Sequence, residues 1–155
     1  MKTKLVPTIE DAIAFAALKH KGAKDRIGEP YILHPLSVMQ RMKTETERIV
    51  AALHDVVEDC GVSIEELRAL GYSEEVLEAL SFVTKRPEEL DDYPVFIGRI
   101  KNGPTLAIKV KLADLADNTD PNRRTVDGEA TRARMEKYRQ AIQVLEHELV
   151  LRGEF

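Results

Sequence analysis

The chain has 155 residues, of which 43% are hydrophobic, 32% charged and 5% aromatic, a balance that suits one compact domain over 1–155 better than two domains or a disordered tract. No run approaches the ~20 apolar residues of a membrane-spanning helix and no basic-then-apolar leader stands at Met1–Glu10, so a cytoplasmic protein without membrane association is expected. Cys60 is the only cysteine, which excludes intramolecular disulfides and multi-cysteine metal sites and leaves histidines and carboxylates to hold any metal. With 27 acidic against 23 basic residues and a net charge of -4, a general nucleic-acid coat is disfavoured, while local basic patches remain open.

Thr8 followed three residues later by Asp11 has the form of a capping box, and it opens a helix over Ile9–His20 that ends near Gly22. Lys24–Tyr31, with Gly28 and Pro30, reads as a basic loop before a short helix starting around His34-Pro35. Glu45–Asp59 fits one continuous helix, with Ile49, Val50, Leu53, Val56 and Val57 on one side and His54, Asp55, Glu58 and Asp59 on the other. Ser63 with Glu66 has the form of a second capping box, for a helix that stops at Gly71. Ser73–Phe82 and Asp92–Ile100 read as two further short helices. Leu106, Ile108, Val110 and Leu112 alternate with lysines as a strand does, yet the segment's length and alanine content favour helix. Only as a helix would Asp114 and Asn118 be partners, one turn apart. Glu129–Arg152 closes the chain as a long helix with Met135, Tyr138, Ile142, Leu145 and Leu149 at core spacing. Helices dominate.

On steps of ~100° per residue, His54, Asp55, Glu58 and Asp59 share an arc of roughly 140° on their helix. The bland account is a solvated polar stripe, and segregation alone does not defeat it. Context does. Three segments occur in order: Gly28-Glu29-Pro30-Tyr31-Ile32-Leu33-His34-Pro35, Ala51-Ala52-Leu53-His54-Asp55-Val56-Val57-Glu58-Asp59 and Lys111-Leu112-Ala113-Asp114-Leu115-Ala116-Asp117-Asn118, with Val83-Thr84-Lys85 between the last two. Over His20–Asn118 the chain resembles the HD-domain hydrolases of the RelA/SpoT type, which remove the 3′-pyrophosphate of the alarmones ppGpp and pppGpp.

That resemblance implies an all-α HD-domain fold with the third motif on a helix. It makes His34, His54, Asp55 and Asp114 the metal ligands and Mn²⁺ the cation, although the mixed nitrogen and oxygen set also suits Fe²⁺, Co²⁺ or Zn²⁺. Glu58 and Asp59 match the family's catalytic pair, as general base and water-positioning group. Carboxylates this crowded repel one another unless a cation lies among them.

A highly anionic nucleotide needs positive charge in an acidic protein, and Lys19, Lys21, Lys24 and Arg26 supply it. The family's basic pair before Gly-Glu-Pro-Tyr is interrupted here by Asp25, so Lys24 or Arg26 inherits the nucleotide contact. Asn118 matches the asparagine that ends the third motif and is expected to hydrogen-bond the ribose or a phosphate. Leu115 and Asp117 replace an arginine and a histidine common in that motif. Tyr138 is read as core, Arg134 as solvated, and His20, His147 and Cys60 as structural. The expected activity is metal-dependent (p)ppGpp 3′-pyrophosphohydrolysis on a small-molecule substrate, giving GDP or GTP and pyrophosphate. The alternatives are the same centre acting on another phosphorylated nucleotide, or a nucleotide-binding regulator without turnover.

Overall fold

The computed structural model describes residues 5–123 and 125–154. Its helices are α1 Ile9–His20, α2 Leu33–Gln40, α3 Glu45–Leu53, α4 Val56–Asp59, α5 Ile64–Ala69, α6 Glu74–Val83, α7 Tyr93–Lys101, α8 Thr105–Asn118 and α9 Glu129–Leu151, with a 3₁₀ turn at Pro87–Glu89 that the sequence did not announce. The all-α expectation holds: β pairing among the described residues is an isolated bridge between Lys24 and Pro30.

Helix starts follow capping chemistry. Thr8 Oγ1 accepts from the Asp11 amide at 3.3 Å while Asp11 Oδ2 accepts from the Thr8 amide at 2.8 Å, so two orphan donors are satisfied reciprocally. Thr44 and Glu47 repeat the device ahead of α3. At Ser63 half of the expected box forms: its Oγ accepts from the Glu66 amide at 3.0 Å, while the Glu66 side chain stays exposed.

Two apolar clusters share α8. Ala107, Val110 and Ala113 face the larger one, built on α1, α3 and α6. Ile108 and Leu115 face the smaller one, with Phe96, Ile97 and Ile100 of α7 and Ala141 and Leu145 of α9. A helix buried on two sides shows no single apolar stripe, which is why its sequence alternates like a strand. Helix α3 is likewise central, with every residue from Ile49 to Leu53 buried.

The turn between α6 and α7 is clasped by one ion pair. Glu89 is 2% exposed and receives Arg99 Nε and Nη2, each at 2.8 Å, together with the Arg86 amide at 2.8 Å. Arg99 Nη2 also donates to the Thr84 carbonyl at 2.8 Å, which fixes the backbone next to Lys85. The Arg99 bonds outweigh burial and lower the Glu89 pKa to about 2. Glu89→Ala leaves the half-buried Arg99 without its carboxylate partner and is expected to cost about 2–3 kcal/mol in chemical denaturation, below the range for a fully buried pair. Since the folded pKa is depressed, the contribution of Glu89 is fully present above its unfolded value and is lost as pH falls toward about 2. A wild-type stability curve flat across that acid range would overturn this account.

Candidate active site

The second motif does not form one helix. Helix α3 ends at Leu53 with His54 as its C-cap, and α4 begins at Val56 with Asp55 as its N-cap. An N-cap aspartate usually turns its carboxylate onto the following amides. Asp55 makes no such bond. Instead its Oδ2 accepts from Tyr31 Oη at 2.5 Å and stands 3.0 Å from His54 Nε2 and 3.9 Å from His34 Nε2. The break turns both side chains of the pair inward, so His54 is buried and the solvated-stripe account fails for it.

Two helices supply the remaining groups. His34, near the start of α2, approaches Asp114 Oδ1 of α8 through Nε2 at 2.8 Å. Ligand atoms of His34, His54 and Asp114 all lie within 4.8 Å of one another, although these residues are up to eighty positions apart in the chain. Asp55 joins them through its distances to the two imidazoles. Lys111 Nζ donates to Asp114 Oδ2 at 2.8 Å and Asn118 Nδ2 to Oδ1 at 3.1 Å, the one-turn partnership that only a helical α8 permits.

The chain's own donors fit a divalent cation. His54 Nδ1 faces the Ala51 carbonyl at 2.6 Å, and a carbonyl only accepts, so the proton is assigned to Nδ1. Nε2 is then buried with no hydrogen-bond partner among the described residues, out of line with both nearby carboxylates. Two imidazoles and two carboxylates make a donor set suited to a transition metal. Burial alone would lower the histidines. Asp55 and Asp114 hold His54 well above its ordinary value, and Asp114 with Asp117 raises His34. Burial would raise the aspartates, but His54 lowers Asp55 to about 2, and Lys111 with both histidines takes Asp114 well below the usual carboxylate range.

Above this cluster opens a cavity of about 540 Å³. Glu58 and Asp59 of α4 line it. Burial and the neighbouring Asp55 raise both, with Asp59 also feeling Glu58 and reaching about 6. Facing them are Lys85, Lys111, Arg134 and Lys137. Burial and these fellow cations hold Lys137 below its ordinary value, the signature of positive charges gathered without enough counterions.

Lys24, Arg26 and Asn118 all line the cavity. Lys19 and Lys21 do not belong to its lining; Lys19 lies over the Phe15 ring at 5.5 Å. Asp25 is a loop-building residue: its Oδ1 accepts from the Ile27 and Glu29 amides at 3.0 and 2.9 Å. Gly28 at φ 87° permits the reversal, since that region is costly for other L-residues. Lys24 and Arg26 therefore flank a fixed turn. One reading needs correction, because Arg134 lines the cavity rather than open solvent; Tyr138 packs against the smaller apolar cluster as expected and also lines the cavity, as does Met135. The first turns of α9 overhang the opening, and core spacing alone does not reveal that. His20 is buried, with Nδ1 3.4 Å from Cys60 Sγ and its ring 5.0 Å from Tyr31. The sequence marks Asp117 only as a departure and passes over Ser37 and Arg123; the three meet around the outer edge of His34. Nothing short of the folded contacts signals that meeting.

No family model matches the chain. Among curated proteins it is 35% identical over 120 residues to guanosine-3′,5′-bis(diphosphate) 3′-pyrophosphohydrolase of Aquifex aeolicus, covering 71% of this chain and 17% of that protein. The Vibrio cholerae protein of the same description is 31% identical over 133 residues, and the chain spans 18% of its length. A relative of similar size is guanosine-3′,5′-bis(diphosphate) 3′-pyrophosphohydrolase MESH1 of Danio rerio, 32% identical over 147 residues, covering 87% of this chain and 81% of that one. The fold is that of a solved structure described as a metazoan ortholog of SpoT that hydrolyses ppGpp, with TM-score 0.74, 23% identity and coverage of 99% and 100%.

Proposed function

We propose that this chain, which belongs to the guanosine-3′,5′-bis(diphosphate) 3′-pyrophosphohydrolase family, hydrolyses the 3′-pyrophosphate of ppGpp or pppGpp to give GDP or GTP and pyrophosphate. We assign the activity to a single domain over 1–155 acting in the cytoplasm on a small nucleotide, without nucleic acid or membrane. One juxtaposition carries the reading. A histidine–carboxylate cluster suited to a divalent cation and a group of cations suited to a polyanion line the same cavity.

His34, His54, Asp55 and Asp114 hold the cation, which we assign as Mn²⁺. When bound it supplies Lewis acidity, lowering the pKa of water and offsetting charge on phosphoryl oxygens. Glu58 accepts the proton of the attacking water, and Asp59 orients that water. Lys85, Lys111, Arg134 and Lys137 bind the phosphates, which compensates for the like charge of Glu58 and Asp59. Lys24 and Arg26, held by the Asp25 turn, take the nucleoside side. Asn118 reaches the ribose or a phosphate.

The direct test mixes purified protein with ppGpp and Mn²⁺ and measures pyrophosphate release, with kcat/KM compared across a panel of phosphorylated nucleotides. Release of pyrophosphate with highest kcat/KM on a 3′-pyrophosphorylated guanosine nucleotide is expected. No release, or a clear preference for an unrelated nucleotide, would sink the assignment.

A further inference from the structure

The third motif departs from its family at Asp117, and that departure lies against a residue assigned above to the cation. Asp117 Oδ2 is 2.7 Å from His34 Nδ1. The ring's other nitrogen, Nε2, faces Asp114 at 2.8 Å. The two carboxylates sit on different edges of one imidazole, so Asp117 does not share the Nε2 side with the cation's other ligands. Ser37 Oγ donates to Asp117 Oδ1 at 2.5 Å, and Arg123 Nη1 donates to Oδ2 at 2.7 Å. With Ser37 and Arg123 both donating to it, the carboxylate is the acceptor toward the ring as well and Nδ1 the donor. Arg123 Nη1 also stands 3.0 Å from Nδ1, but two donors do not bond each other. Its further bond goes to Asn118 Oδ1 at 3.0 Å.

We propose that Asp117 is a positioning residue that fixes the Nδ1–H tautomer and the ring orientation of His34, so that Nε2 presents its lone pair to the cation. The inference rests on the assignment of His34 to that cation. A carboxylate behind a ligating imidazole raises its basicity and holds its plane, and loss of such partners weakens metal binding by about 10–100-fold. At this position a histidine, the residue common in the family, carries no such charge when neutral. This chain therefore carries its own support for the first-motif histidine, supplied from α8 and tied by Ser37 to the same α2 turn that bears His34.

Co²⁺ titration of the metal-free protein, followed by visible absorption, is the test because it reads the ligand field without turnover. Asp117→Ala is expected to weaken Co²⁺ binding about 10–100-fold and to shift the absorption bands, with Asp117→Asn intermediate because its amide oxygen still accepts from Nδ1–H. In steady-state assays kcat should fall while KM moves little, since Asp117 does not line the cavity. His54→Ala serves as the control for the centre itself. If it loses Co²⁺ while both Asp117 variants bind within about twofold of wild type with unchanged bands, the positioning role is overturned and the centre stands. Wild-type binding in His54→Ala as well overturns both. Should circular dichroism show Asp117→Ala unfolded, the near-isosteric Asp117→Asn carries the decision on the same criteria.

Discussion

Glu58→Gln is expected to lower kcat by about 10²–10⁴ while leaving the fold and metal content unchanged, the range that a positioned proton acceptor contributes. Glu58 lies in the cavity and outside the buried core, so an isosteric amide disturbs no packing. It is not one of the four side chains assigned to the cation, so cation binding should persist. Asp59→Asn is expected to fall less far, since an amide still orients water but accepts no proton. The pH profile supplies a second check. Burial and Asp55 raise Asp59 to about 6 and raise Glu58 as well. A base must be deprotonated, so kcat/KM should fall as pH drops through the raised Glu58 value, and a cation at Asp55 removes one of the raising influences and moves that acid limb down. Unchanged turnover in Glu58→Gln, or a limb well above neutrality, would remove this pair from proton transfer.

What the sequence made legible was whatever local chemistry determines. Helix α1 could be bounded because Thr8 and Asp11 sit three residues apart, and the Asp114–Asn118 partnership follows from helical spacing alone. Convergence of His34, His54 and Asp114 was reachable only through the likeness of three motifs, because periodicity places a residue on a face and says nothing about which faces meet. The break at His54–Asp55 left no trace either, having neither glycine nor proline to mark it. The cavity-lining places of Arg134 and Tyr138 are hidden for a related reason: spacing along α9 continues unbroken from the part that covers α7 and α8 to the part that overhangs the cavity. Asp117 shows the limit most clearly. On sequence it is a lost histidine, and in the fold it is a bonded neighbour of a residue 83 positions away.

His54→Ala is expected to abolish stoichiometric metal binding, weakening the Mn²⁺ Kd by more than the about 100-fold at the upper end for outer partners, with turnover lost in parallel. The imidazole contributes twice. Its unpartnered Nε2 is an available donor, and when protonated it lies between Asp55 and Asp114, at 3.0 and 3.5 Å. Removing it leaves two buried carboxylates facing each other without that charge, which penalises the metal-free fold as well. Thermal melting with and without Mn²⁺ separates the effects: wild type should gain stability with added cation by mass action, and the variant should gain little. The neighbouring carboxylates, Asp117 included, set the pH response. They hold His34 and His54 above the ordinary histidine value, so an incoming cation displaces protons, and wild-type Mn²⁺ affinity should strengthen as pH rises from about 6 to about 8. Calorimetric titrations in buffers of different ionisation enthalpy count those protons directly. Binding without proton release, together with equal metal in wild type and His54→Ala, would mean that these side chains do not form the centre.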